Sequence, residues 1–364
     1  GLCFVVFWGT FFPLISEAMT GTESSVGPPW FNRYVVPLAL VLVLLSGIGP
    51  VIAWRRATPV NLRRAFLAPV VVATVALLAL LVLTPADESI PSLLLFTLVA
   101  FVLAVVGQEL VRGVGARRTM TGESPPLALV RLLGRNRRRY GGYIVHAGIA
   151  ILFLGVAASS AFVDQRDVRL APGQTTRVGD YDVTYREPTA RFLDDRSGTG
   201  APVTFGAVLD VRRRDGGQAF TLRPSRNYYE AGMGGPMGVF GRFFSGESTT
   251  EVDVRWGLKR DVWMAVQPDL RTLIGPIKEA NRRFSDVPTE AQALILGALV
   301  ERYRRAAPPA TFRTLVSPMI AWIWIGALVA LLGALVALWP TPGARARRVS
   351  SVYAARLGRE LSRA

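Results

Sequence analysis

Arg137-Arg-Arg-Tyr-Gly-Gly-Tyr-Ile-Val-His-Ala-Gly-Ile-Ala-Ile-Leu-Phe-Leu-Gly-Val-Ala-Ala-Ser-Ser-Ala-Phe162 sets three arginines against an apolar run from Tyr140 to Phe162. A helix needs about 20 apolar residues to cross the hydrocarbon of a bilayer, so this run reads as a membrane span with a basic flank. Outward from it lie further runs of the same kind, Val35 to Trp54, Phe66 to Thr84, Pro91 to Val111 and Thr314 to Trp339. A partial run, Leu2 to Ile15, lacks an initiator Met, a basic flank and a cleavage site. It is therefore not a signal peptide, and we read it as the end of a helix whose beginning is missing. The expectation is a mainly α-helical multi-pass membrane protein with six spans, the first truncated.

Composition agrees. Of 364 residues, 51% are apolar and 19% charged, with a mean hydropathy of +0.33, a mixture that implies spans joined to polar parts. The net charge of +16 would suggest a nucleic-acid partner if it were spread over a soluble surface. Instead it is concentrated in alternate loops: Arg55, Arg56, Arg63 and Arg64, then eight arginines from Arg112 to Arg139, then six from Arg345 to Arg363. The intervening loops carry Glu17 and Glu23, or Asp87 and Glu88. Basic residues stay on the cytoplasmic side, which places the C-terminus inside the cell. Residues 163–313 fall outside, nearly balanced at a net +4. Most of the excess charge is thus topological and available to anionic lipid; nucleic acid is not needed.

Four regions follow. Residues 1–162 form a transmembrane region with spans at about 1–15, 35–54, 66–84, 91–111 and 140–162; residues 163–313 form a β-rich extracytoplasmic domain inserted before the last span; residues 314–340 form that last helix; and residues 341–364 form a basic tail. In the domain, Asp167 to Leu170, Thr175 to Val178, Tyr181 to Tyr185, Val203 to Arg214, Ala219 to Leu222, Val252 to Trp256 and Asp261 to Val266 alternate between turn signals, as in an antiparallel sheet or small barrel. A helix is predicted over Glu290 to Ala306, with Thr289 and Gln292 as a capping box. Ala231 to Gly246 reads as a Gly-rich loop. Gly113 to Arg139 is expected to lie along the membrane surface. The tail reads either as a basic amphipathic helix with Val349, Val352, Tyr353 and Leu357 on one side, or as a stop-transfer flank.

Few residues offer chemistry. The one Cys, Cys3, excludes an intrachain disulfide and any CxxC motif. No carboxylate pair, nucleophile with a base or multi-His metal site can be assembled, and Glu109 stands nearly alone as an acid inside a span. The one histidine, His146, sits at membrane depth, where an unsatisfied imidazole costs on the order of a few kcal/mol. Gly142 precedes it by a turn; Ile149, Ala150 and Phe153 follow on the same face. That patch suits a flat macrocycle with the imidazole as axial ligand to iron. It suits equally a histidine that hydrogen-bonds a neighbouring helix carbonyl. Arg138 and Arg139, about two turns from His146, fit propionate pairing or topology alone. The loop Ser24 to Tyr34 reads as an interfacial aromatic anchor.

Several segments together resemble the CcmF/CcsA-type family of cytochrome c-type biogenesis proteins. They are Gly9 to Ile15; Val26-Gly-Pro-Pro-Trp-Phe-Asn-Arg33 with Pro37 and Gly47-Ile-Gly-Pro50; Arg139 to Gly148; Pro224-Ser-Arg-Asn-Tyr-Tyr229; Glu247 to Asp253; and Val316 to Gly326 with Trp339-Pro340. The resemblance covers nearly the whole chain, and its specificity lies in the combination. It implies a haem lyase subunit that takes haem from a haem chaperone and delivers it to apocytochrome c beside thiol-handling maturation subunits. It also implies a separate b-type haem held between two transmembrane histidines, of which His146 matches the second. The family's Trp-rich WWD segment, with its flanking histidines and the other haem-ligating histidine, belongs to an N-terminal portion that has no counterpart here. By this resemblance the chain supplies half of a haem b site and no self-contained catalytic site. Two other readings stay open: a permease or scaffold subunit with a partner-binding external domain and a structural histidine, and a haem exporter without lyase activity.

Overall fold

The computed structural model describes residues 1–51, 58–192, 203–230, 238–284, 286–339 and 353. Arg55, Arg56, the end of the second span, the Met-bearing part of the Gly-rich loop and the basic tail apart from Tyr353 lie outside the described residues. The chain divides into two compact units, Gly1–Ala157 with Trp322–Ala364, and Ala158–Ala321.

The first unit is helical: α1 (Leu2–Thr20), α2 (Pro28–Ile48), α3 (Pro59–Leu83), α4 (Ile90–Thr121), α5 (Pro125–Arg135), α6 (Arg137–Ala161) and α10 (Ile320–Leu338). All of these except α5 are long and apolar enough to cross a membrane, and the protein is a multi-pass membrane protein with a β-rich domain. Helices α2, α3 and α4 each outrun at one end the apolar run that announces them. Pro28–Pro29 and Pro59 occupy first turns, where proline's fixed φ favours the helix and its missing N–H costs nothing, so α2 and α3 start before the apolar run. Helix α4 continues ten residues past Val111 and stops at Gly122, whose φ of 68° makes it a left-handed cap. It is also the most buried span, packed by α2 and α3. Gln108 Nε2 donates to the Ala65 carbonyl at 2.7 Å, so the polar side chain inside the span is satisfied.

The stretch between α4 and α6 is more than a surface loop. Helix α5 buries Ala128, and Leu132 and Leu133 pack against Val106, Tyr140 and Tyr143. Glu123 accepts from Arg117 at 2.8 Å and Arg131 at 2.5 Å. The Arg117 guanidinium, helped by Arg131, holds its carboxyl down to about 2. Trp30 and Phe31, expected as an interfacial anchor, turn toward α1: a Cβ on Gly9 would come within 2.7 Å of either ring.

The second unit holds two antiparallel sheets. One has the order β1 (Asp164–Leu170), β10 (Ala310–Pro318), β9 (Arg260–Pro268), β8 (Asp253–Arg255); the other has β2 (Thr175–Val178), β3 (Tyr181–Phe192), β4 (Val203–Arg213), β6 (Ser225–Tyr228), β7 (Ser248–Glu251), with β5 (Phe220–Leu222) also on β4. They share a core of Tyr185, Leu209, Met264 and Phe312, all under 2% exposed. A second core joins Phe205 to the short α7 (Gly238–Gly241), α8 (Arg271–Phe284) and α9 (Thr289–Ala306). The later half of the expected Gly-rich loop is therefore helical and buries Phe240. The N-cap of α9 is Pro288, one residue before the Thr289 expected there, and Gln292 Nε2 donates to the Val287 carbonyl.

One expected boundary moves. Thr314 to Pro318 belongs to β10, with Phe312, Thr314 and Val316 facing inward, and the last helix starts only at Ile320. Met319 makes the turn at a φ of 59°. An inward-facing alternation that runs straight into an apolar helix shows no break in hydropathy, so the run alone overstates the span.

Candidate functional site

Helix α6 carries three stripes. Tyr140 and Tyr143 are buried in the cluster with Val106 of α4, and Ala147 packs against it. Gly141 and Gly148 face α10: a Cβ on Gly141 would lie 2.8 Å from the Gly333 carbonyl, and one on Gly148 would lie 2.7 Å from that of Gly326. Side chains larger than hydrogen have no room there, which is how two apolar helices gain contact in lipid. The third stripe holds Arg139, Gly142, His146 and Phe153, at the spacing of one helix face. Here the Gly142 position is open, since a Cβ there meets nothing within 4 Å.

His146 is half-buried, and its Nδ1 is enclosed without a hydrogen-bond partner. The carbonyl bond expected as its alternative role is not made by Nδ1 to any of the described residues. An enclosed polar atom without a partner costs about 1–3 kcal/mol, so the imidazole is the least satisfied group on its helix. At the other end of the stripe, Arg139 Nη2 donates to Glu109 Oε2 at 2.8 Å, its Nε donates to the Tyr143 hydroxyl at 3.1 Å, and that hydroxyl donates to Glu109 at 3.1 Å. Arg112 completes the cluster at 3.3 Å. Glu109 is only 9% exposed; its charge is offset across two helices. Arg138 is exposed and in no ion pair among the described residues. The structure thus sets Gly142 and His146 together, commits Arg139 to Glu109, and leaves Arg138 outward.

The Glu109–Arg139–Tyr143 group escaped the sequence reading. Its signal was available: a lone acid in a span requires a cation, and Arg139 and Tyr143 stand four residues apart on the facing helix.

No family model matches the chain. The cytochrome c-type biogenesis protein CcmF of Pseudomonas fluorescens is 27% identical over 92% of this chain and 41% of its own length. CycK of Rhizobium meliloti is 30% identical over 62% of this chain and 32% of its own. Among solved structures, a cytochrome c haem lyase CcmF superposes with a TM-score of 0.56 at 22% identity, covering 93% of this chain and 44% of that one. The chain therefore spans about two fifths or less of the length of these curated relatives.

Proposed function

We propose that the chain is a CcmF-type protein that works in cytochrome c biogenesis as part of a haem lyase, with His146 as one of the two residues that would hold a transmembrane b-type haem. The observation that carries this reading is the imidazole itself: the one histidine of the chain, at membrane depth, with an enclosed nitrogen and no partner, beside the open Gly142 position. These residues fit half of a bis-histidine site. Bound there, the haem would supply one-electron redox chemistry. His146 would bind it, Gly142 would keep its helix face clear of a Cβ, and the apolar neighbours Ile149 and Phe153 would exclude water. Arg139 is held by Glu109 and Tyr143, so propionate pairing falls first to Arg138.

Sidedness follows from the distribution of arginines: the β-rich unit lies on the extracytoplasmic side of the inner membrane and the C-terminus in the cytoplasm. On that side it would meet a haem chaperone, apocytochrome c and thiol-handling subunits. The second ligand and the WWD segment come from outside these residues.

The test is optical. The protein is co-purified with a segment that supplies a second transmembrane histidine, with and without His146→Ala, and reduced-minus-oxidised spectra are recorded. Loss of the b-type signal in a variant that still inserts supports the ligand; an unchanged spectrum makes His146 a packing residue. Absence of haem from both proteins favours a scaffold subunit.

A further inference from the structure

The short loop between β8 and β9 carries two large apolar side chains into the open. Trp256 is 66% exposed and Leu258 68%. They do not dangle. Gly257 N donates to Asp261 Oδ1 at 2.7 Å, and a Cβ at residue 257 would meet the Arg260 carbonyl at 2.5 Å, so the loop is tight and requires glycine at its centre. Arg255 lies over the Phe220 ring at 4.5 Å, and Arg260 pairs with Asp180. A rigid loop exposing a Trp and a Leu loses free energy in water.

Its place in the fold says what it meets. Strand β9 starts opposite the end of β10, with Arg260 paired to Pro318, and Met319 N donates to the Lys259 carbonyl at 3.1 Å. The next residue, Ile320, opens α10, whose 19 residues extend about 28 Å, close to the roughly 30 Å of the hydrocarbon layer. A helix with so little length to spare must begin at the hydrocarbon edge. The β8–β9 loop, bonded one residue before that start, therefore lies at headgroup depth.

We infer that the β8–β9 loop is a membrane-interface anchor, seating Trp256 and Leu258 among phospholipid headgroups with Lys259 beside the phosphates. Trp is favoured at this depth because its ring is apolar and its N–H polar, and an exposed Lys adds attraction to anionic lipid. The anchor would hold this end of the sheet to the bilayer independently of any haem chemistry.

The experiment uses the full chain in a Cys3→Ser background, labelled with an environment-sensitive fluorophore at Trp256→Cys or, separately, Leu258→Cys. Gln174→Cys is the control: it lies in the β1–β2 turn at the other end of the sheet, about 20 Å along β1 from Asp164. Each protein is placed in nanodiscs of phosphatidylethanolamine and phosphatidylglycerol with or without lipid bearing a shallow doxyl quencher. Quenching of about twofold or more at 256 and 258, with none at 174, is expected of residues at interface depth. A blue-shifted label that doxyl lipid fails to quench means a protein surface covers the loop and overturns the proposal. A label that stays water-like at both positions overturns it as well.

Discussion

Asp269, between β9 and α8, ties a strand to a helix through one carboxylate. It accepts from the Arg271 amide at 3.1 Å and its guanidinium at 2.6 Å, and pairs with Arg169 of β1. The Arg271 guanidinium, with help from Arg169, holds the carboxyl well below its ordinary 3.8 despite burial. A depressed carboxylate stabilises the fold fully above that ordinary value, and the contribution is lost as pH falls below it. Asp269→Ala should lower stability by roughly 1–2 kcal/mol at neutral pH through the lost hydrogen bond from the Arg271 amide and the lost ion pairs. In full-length protein the melting difference from wild type should shrink as pH drops below about 4; a difference that stays constant with pH would sink the electrostatic account. Nothing local in the sequence marks Asp269 among nineteen acidic residues of 163–313, because Arg169 reaches it from a hundred residues away. His146 is the opposite case, a candidate that the sequence singles out because it is the one histidine.

Among the elements, α6 separates residues that look identical in sequence. Gly141 and Gly148 meet the α10 backbone, whereas Gly142 meets nothing. Gly148→Leu should force the helices apart and cost about 1–3 kcal/mol or more, read as a lower melting midpoint in detergent. Gly142→Ala should leave stability unchanged or raise it by up to about 1 kcal/mol through helix propensity; equal losses at both sites would contradict the face assignment. The strands β6 and β7 and the helix α8 were not legible. The two strands are four residues each, too short for a period. In α8 the buried Leu273, Ile277 and Ala280 follow a helical spacing, but Gly275 and Pro276 interrupt it.

For the whole molecule, one histidine in 364 residues limits what the chain does unaided. Purified alone, it should show no low-spin bis-histidine haem spectrum, and supplying the segment that carries the other histidine should restore one; such a spectrum from the chain by itself would refute the half-site. Span number and order, the alternation of charged loops and the presence of a β-rich insert before the last span were all readable from composition along the chain. Hydropathy, the positive-inside bias and period-2 patterning are local properties that survive without knowledge of contacts. Tertiary structure alone decided that Arg139 belongs to Glu109, that Thr314 to Pro318 closes a sheet instead of opening a helix, and that Trp256 stands exposed in a loop whose Lys259 carbonyl accepts from the Met319 amide. Each of these depends on which distant segment lies alongside, and pairing across tens or hundreds of residues leaves no periodic trace in either partner.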